Sequence, residues 1–477
     1  MNLGFSISII FQDHLLMKFN TGYILKITLV SALGGLLFGY DWVVIGGAKP
    51  FYEKYFEIIY SPNLQGFAMS SALLGCILGA MISGMISDNY GRKKSLIFSA
   101  ALFTASAVGT GYADSLSPFI IFRILGGIGI GLASTQSPIY IAEISPGKWR
   151  GKFVSLNQLT IVIGIVLAQL INYLIAEKVN PMATIDEITN SWNGQWGWRW
   201  MFWVETVPAL LFLILTFFIP ESPRWLAVHE FWDKADRIMQ KIGGRDYAEA
   251  SHKEIALSIK NTESKFNFRV LFERKLLSII LIGIILAVFQ QWCGINVVFN
   301  YAEEVFAAAG YGITDILFNI VLTGTVNLIF TFVAILTVDR WGRKKLLLIG
   351  ASGLALTYII LGTFYYLDVL GIPVVTVIIL AIAVYAMTLA PVTWVILSEI
   401  FPNRIRGAAM ATATSSLWIA CFILTYTFPW LNKVLNASGT FWLYAIICIL
   451  GFIYIKRNLI ETKGKSLEEV ENLLKQK

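Results

Sequence analysis

Charge is scarce in this sequence. Acidic and basic residues together make up 14% of its 477 positions, where a soluble globular protein carries roughly a quarter. Histidine is scarcer still. His14, His229 and His252 are the whole set, and all three fall outside the long apolar runs, which excludes a histidine proton relay within them. The cysteines, Cys76, Cys293, Cys421 and Cys448, sit singly inside apolar runs. Their spacing suits neither a disulfide framework nor a metal site, which leaves small apolar packing residues. Nucleotide loops, metal-ligand clusters and nucleophile–base sets are all missing. Neither an enzyme nor an ATP-driven pump is expected, and no cofactor or metal. The mildly apolar stretch 1–16 lacks a basic n-region and a small-residue cleavage site, so no cleaved signal is read there. Met17 offers a second start just ahead of the first apolar run.

What the chain has instead is apolar length. It is 56% hydrophobic, with a mean hydropathy of +0.68. Runs at 24–38, 119–133, 204–219, 276–289 and 374–389 are nearly uncharged, and a bilayer span needs roughly 20 such residues. The pattern predicts an all-α membrane protein with twelve spans near 25–47, 68–88, 95–112, 119–142, 153–175, 198–219, 276–298, 314–338, 345–367, 372–398, 407–430 and 439–457. Of the 37 Lys and Arg, only Lys49, Lys54, Lys178, Arg199 and Lys433 fall on one side of this layout, and Arg123 falls within a span. The rest crowd the other side, which the positive-inside rule makes cytoplasmic, with both termini there. The net charge of +7 follows from topology and implies no nucleic acid.

The chain also repeats itself. Asp88-Asn-Tyr-Gly-Arg-Lys-Lys94 recurs as Asp339-Arg-Trp-Gly-Arg-Lys-Lys345. Glu143-Ile-Ser-Pro-Gly-Lys-Trp-Arg-Gly151 recurs as Glu399-Ile-Phe-Pro-Asn-Arg-Ile-Arg-Gly407, and Glu221-Ser-Pro-Arg224 has a weaker echo in Glu461-Thr-Lys-Gly464. Each copy follows the second, fourth or sixth span of its half. The division expected is an N-terminal six-helix bundle (1–219), a cytoplasmic linker with short helices at 231–242 and 246–259 (220–275), a C-terminal six-helix bundle (276–458) and a cytoplasmic tail (459–477) in which Ser466 opens a helix through a capping box. Parallel repeats of this kind place a substrate between the halves near mid-membrane. Arg92 with Glu143 and Arg150, and Arg343 with Glu399 and Arg406, supply opposite charges at matching places and are candidates for a cytoplasmic gate. Idle surface pairs are the alternative, and the repetition speaks against it.

Taken together, the Asp-x-x-Gly-Arg-Lys turns, Pro220-Glu-Ser-Pro-Arg-Trp225, Gln290-Gln-Trp-Cys-Gly-Ile-Asn296 and Glu461-Thr-Lys-Gly464 resemble the sugar porter branch of the major facilitator superfamily over nearly the whole chain. The likeness is nearest to bacterial D-xylose/proton symporters, with mammalian glucose facilitators further off. It implies the major facilitator fold, two six-helix bundles that rock to expose a site alternately to each side.

Three ionisable residues fall within spans: Asp41, Arg123 and Glu205. Such residues are costly in a bilayer and are functional candidates. Beside Arg123 an Asp41 carboxylate stays ionised; separated from it, the carboxyl takes a proton. A permanent structural pair is the alternative. The resemblance favours coupling, because proton-coupled porters carry Asp here and facilitators Asn. Sugars need amides, which both donate and accept, and aromatic faces for their C–H surface. Gln158, Gln290, Gln291, Asn296, Asn300 and Asn327 supply the amides, Thr323, Asn327 and Thr331 form one polar stripe, and Trp394 and Trp418 are the aromatic candidates. A lone amide is more often an interhelical hydrogen bond; the set in family positions reads as a sugar site. Departures from the family bear on the particular sugar: Asn300 for the first Tyr of a Tyr-Tyr pair, Leu417 for Gln, Ala390 for Gly, Trp42 for a small residue and Ile460 for Pro.

The expectation is a monomeric proton-coupled symporter of a pentose or hexose in the inner membrane of a bacterium, with protons and the lipid bilayer as its other partners. A uniporter with a structural Asp41 is the alternative. A transport-dead sensor fits less well, since sensors carry long cytoplasmic extensions. Polyols and inositols are further possible substrates.

Overall fold

In hydrocarbon every backbone N–H and C=O must be satisfied within the chain, which leaves helices or a closed barrel. The structure, a computed structural model, describes residues 19–147, 149–261, 274–401, 406–463 and residue 469, and among these the regular elements are all helical. Six long apolar helices come first: Thr21–Tyr55, Pro62–Tyr90, Arg92–Tyr112, Leu116–Ile144, Arg150–Ile175 and Asn193–Thr216. Then follow Leu276–Asn300, Ile313–Ala334, Arg343–Tyr366, Ile372–Ile400 and Ala408–Asn458. The last, 51 residues long, would measure about 75 Å if straight, against a hydrocarbon core of about 30 Å. It turns back at Asn436 (φ 56°, ψ 178°), and so forms two spans. Twelve spans result, as expected.

The two sets of six pack alike. The second span lies on the fourth, and the third on the fourth and sixth; in the other set the eighth lies on the tenth, and the ninth on the tenth and twelfth. Between the sets, the second span meets the eleventh where Gly66 abuts the Tyr426 backbone, and the fifth meets the eighth.

Several boundaries differ from the sequence expectation, each for a local reason. The first span continues beyond residue 47 to Tyr55, carrying Lys49 into the bundle. The seventh breaks at Gly294, whose φ of 89° suits a residue without Cβ, giving Ile295–Asn300 as a separate half-helix. The tenth breaks at Thr388 (φ −125°, ψ −86°) into Ile372–Met387 and Leu389–Ile400. The expected linker helices appear as Trp232–Asn261 with an interruption at Gly244 (φ 82°), preceded by an unexpected turn of helix, Pro223–Val228. The linker docks on the first set of spans, where Asn20 N donates to Ile242 O (2.8 Å) and Phe19 meets Tyr247 edge-on. Residues 1–18, 262–273 and the Ser466 capping box lie outside the described residues.

The tightest helix pair is set by small residues. Gly75 and Gly79 of the second span face the carbonyls of Ile124 and Ile128, while Gly127 and Gly131 of the fourth face those of Ala72 and Cys76. A Cβ at any of the four would strike backbone, the close approach that glycine spaced four apart allows in membranes. Overpacking a well-fitted contact costs about 1–3 kcal/mol, sometimes more. Gly127→Val should therefore lower the thermal unfolding midpoint of the detergent-purified protein by several degrees. Gly84→Val, on an open stretch of the second span with nothing within 4 Å, should leave it unmoved.

Candidate substrate and proton site

The three intramembrane ionisable residues come together. Arg123 Nη1 donates to Asp41 Oδ1, and Arg123 Nη2 donates to the Asp41 carbonyl at 3.3 Å. Both residues are about 2% exposed. Phe202 places its ring 5.7 Å from the guanidinium. Glu205, also buried, stands near enough to feel both charges. Bonding is incomplete: Asp41 Oδ2 and Arg123 Nε are enclosed without a hydrogen-bond partner in the chain. A salt bridge in this setting survives only with good geometry, and here it leaves one carboxylate oxygen available to a proton.

The amides lie in the second half. From the break at Gly294 outward, Asn296 Nδ2 donates to Gln291 Oε1, Gln291 Nε2 to Gln290 Oε1 (2.6 Å) and Gln290 Nε2 to the Tyr385 hydroxyl (3.2 Å). Asn296 also contacts Cys421 Sγ at 3.6 Å. Asn300 and Asn327 are buried, with Thr323 and Thr331 flanking Asn327 on the eighth span. Trp418 is 3% exposed and meets Phe38 (5.8 Å) and Trp42 (5.9 Å) across the halves with tilted rings. Its indole N–H and the Asn300 Oδ1 are enclosed without a partner. Gln158 and Trp394 are half-buried. A small cavity is bounded by Trp42, Leu73, Arg123 and Asn300. A larger concavity of about 680 Å³ lies elsewhere, along Thr104, Tyr112, Phe122 and Leu213. Its walls are mostly apolar, and a polyol would find few hydrogen-bond partners there.

Residues 27–474 match the family model described as sugar (and other) transporter. The chain belongs to the sugar transporter family. It is 40% identical to the D-xylose-proton symporter of Escherichia coli strain K12 over 96% of both chains, and 37% identical to the arabinose-proton symporter of Bacillus subtilis over 95% of both. At 33% identity it also matches the glucose facilitated diffusion protein of Zymomonas mobilis, over 95% of this chain and 98% of that one. Among solved structures it resembles the E. coli xylose transporter in an inward-open conformation (TM-score 0.82, 39% identity, 94% of this chain and 99% of that one). It likewise resembles a major facilitator proton:xylose symporter bound to 6-bromo-6-deoxy-D-glucose (TM-score 0.79, 39% identity, 96% and 100%). The fold is that of the major facilitator superfamily, twelve helices in two six-helix bundles, and the protein is a transporter, not an enzyme.

The repeated turns of this transporter build the same clamp twice. Gly91 (φ 97°) and Gly342 (φ 89°) open the third and ninth spans. Glu221 accepts from the N–H groups of Arg92 (2.9 Å) and Lys93 (3.1 Å); Glu461 accepts from those of Arg343 (2.8 Å) and Lys344 (3.1 Å). A carboxylate on a helix N-terminus satisfies orphan donors and opposes the dipole. Arg92 then grips Glu143 through Nε (3.0 Å) and Nη2 (3.2 Å), and Arg343 reaches Glu399 at 3.1 Å. Ser222 and Thr462 each donate a hydroxyl to those glutamates at 2.5 Å. The weak sequence echo at Glu221 and Glu461 is thus a strong structural one. These clamps hold helix ends within a half. Arg150 stands exposed at the head of the fifth span. The Arg406 side chain lies outside the described residues.

Contacts between the halves run from the Trp42–Trp418 layer to the opposite face. There Val179 N donates to Thr314 Oγ1 (3.1 Å), Tyr173 meets Phe318, and Lys49 bonds Glu303 and Glu304. Lys49 and Tyr385 escaped the sequence reading; the signal for Lys49 was the i, i+4 Glu53 together with an acidic pair just past a span. For the clamps, Glu221→Ala and Glu461→Ala should each cost about 1 kcal/mol, as loss of a helix cap does. Matching drops in unfolding midpoint would bear out the repeat; an effect from only one would break the equivalence.

Proposed function

We propose that this transporter carries a monosaccharide, a pentose or hexose, together with protons across a bacterial inner membrane by alternating access. The observation that carries this reading is the buried Asp41 carboxylate, held by Arg123 on one oxygen and open to a proton on the other, beside an amide-lined site in a sugar transporter. The relatives named as xylose-proton and arabinose-proton symporters support the same chemistry. The clamp-bearing face is cytoplasmic on the positive-inside count, with both termini there. The working unit is one chain, divided at 1–219, 220–275, 276–458 and 459–477 into bundle, linker, bundle and tail, with the bilayer around the spans.

Sugar from outside binds among Gln158, Gln290, Gln291, Asn296, Asn300 and Asn327, with Trp394 and Trp418 covering its ring. A proton reaching Asp41 Oδ2 neutralises the carboxylate and weakens its hold on Arg123, for which Glu205 is the alternative partner. The halves then rock, with Arg92–Glu143 and Arg343–Glu399 keeping the inner helix ends of each half together. Both ligands act through differential affinity for the two states. The facilitated-diffusion relative keeps a second reading alive, uniport with Asp41 as architecture.

Uptake of labelled xylose, glucose, galactose and arabinose into energised vesicles separates the two. Accumulation above equilibrium, collapsed by a protonophore and lost in Asp41→Asn while exchange persists, is the expected outcome. Equilibration without accumulation in both proteins would make this a facilitator. Trp418→Phe keeps an aromatic face, a smaller one, but removes the indole donor. It should weaken sugar binding by about three- to tenfold, the value of one hydrogen bond, in a calorimetric titration of the purified protein.

A further inference from the structure

Lys49 sits on the face opposite the clamps, 2% exposed, and its ammonium has three protons to give. Each goes to a different carboxylate: Glu53 Oε2 at 3.1 Å, Glu303 Oε2 at 3.1 Å and Glu304 Oε1 at 2.8 Å. Glu53 is on the same first span, whereas Glu303 and Glu304 begin the short helix Ala302–Ala307 of the other half. The cluster therefore ties the two halves together. With all groups ionised it would carry one positive charge against three negative ones. Gln65 of the second span donates to Glu53 Oε2 (2.8 Å); it is neutral and leaves that imbalance untouched. The other facing groups are Tyr52 and Tyr301, whose phenols are neutral donors, and the Tyr301 ring lies 5.9 Å from Nζ while its hydroxyl is committed to Thr425 O. Two carboxylate oxygens, Glu53 Oε1 and Glu304 Oε2, are enclosed without any hydrogen-bond partner, and Glu53 as a whole is 3% exposed.

A buried carboxylate oxygen with neither donor nor solvent is where a proton relieves the excess charge. We propose that the Lys49–Glu53–Glu303–Glu304 cluster is a second proton-binding site, separate from Asp41, which takes up a proton from outside as the outer mouth closes and gives it back when the mouth opens. The proton enters and leaves on the same side, so it is not carried across; it sets how readily the mouth stays shut. Burial, resisted by Lys49 and reinforced by Glu303 and Glu53, pushes the Glu304 carboxyl up to about 7. With the mouth open the Glu304 carboxyl is hydrated and returns towards the ordinary value of about 4.3. The closed state thus binds more protons than the open one, and by linkage it gains population as external pH falls. That direction favours closure after loading from an acidic exterior. The assignment of faces rests on the reading given under Proposed function.

The test is a pulsed EPR distance across the outer mouth in the full-length reconstituted transporter. Met182→Cys and Leu370→Cys provide exposed label sites on the two halves, and the four native cysteines are buried. Between about pH 8 and about pH 5 the distance distribution should shift towards the short, closed population. It should do so equally in an Asp41→Asn background. Glu304→Gln, alone or with Glu53→Gln, mimics the protonated form and should hold the closed population at pH 8. Lys49→Met, leaving the carboxylates without their cation, should deplete it there. A wild-type distribution that ignores pH, or a shift that survives the glutamine variants but vanishes with Asp41→Asn, would overturn the proposal. Neither outcome touches the symport reading, which the uptake experiment decides.

Discussion

A charge enclosed within a membrane bundle has to be neutralised by the groups around it. The described residues meet that constraint to different degrees, and the degree separates scaffold from moving part. Arg199 is saturated: its guanidinium donates to the carbonyls of Gly111, Ala113 and Gln195, to the Tyr55 hydroxyl and to Asp114, all within 2.9–3.0 Å. No bond is left for a change of partner, and its place between the third span and the outer end of the sixth is architectural. The Arg123–Asp41 pair is under-satisfied on both sides, with Arg123 Nε and Asp41 Oδ2 unpartnered. An incomplete buried pair is costly to keep in one state, a cost that the proposed protonation of Asp41 would relieve. By the same measure the Lys49 cluster belongs with the moving parts.

The internal repeat makes the asymmetries informative. Both halves carry the same clamp of glutamate, glycine and arginine, down to the hydroxyl from Ser222 or Thr462. The first and seventh spans occupy equivalent places, yet the first runs unbroken from Thr21 to Tyr55 and the seventh breaks at Gly294. The charges Asp41, Arg123 and Glu205 all belong to the first half, whereas the chain of amides from Asn296 to Gln290 belongs to the second. In the proposed cycle, one half would bind the proton and the other most of the sugar. Trp42, next to Asp41, and Trp418, beyond the amides, meet between them, so a ligand against Trp418 is felt one residue from the carboxylate.

Much of this was legible in the sequence because it rests on patterns that a membrane imposes. Twelve apolar runs, the basic side and the repeated turns are each read from residue type and order. The amides Gln290, Gln291 and Asn296 stood out because polar groups are expensive in spans. Lys49 did not, since near the end of an apolar run a lysine looks like a loop residue until the helix is known to continue to Tyr55. The break at Thr388 has neither glycine nor proline at the residue itself; Pro391, three residues on, lacks the N–H that would bond the Met387 carbonyl.

In the proposed site the amide chain also constrains how a sugar would be recognised. Asn296, Gln291, Gln290 and Tyr385 already hydrogen-bond one another, so a sugar hydroxyl inserted among them exchanges one bond for another, with a small net gain per contact. Asn300 Oδ1 and Trp418 Nε1 have no such bond to lose. A hydroxyl that reaches either removes the penalty of an unsatisfied buried group, worth about 1–3 kcal/mol. In the proposed site, discrimination between sugars should therefore rest less on the conspicuous glutamines than on Asn300 and Trp418, each of which carries an unpaired buried group. Asn300 is one of the positions at which this chain departs from its family, and Leu417, another, is the immediate neighbour of Trp418. Of the five departures, these two thus fall at or beside groups where, in the proposed site, a difference of one hydroxyl between substrates would carry a large free-energy consequence.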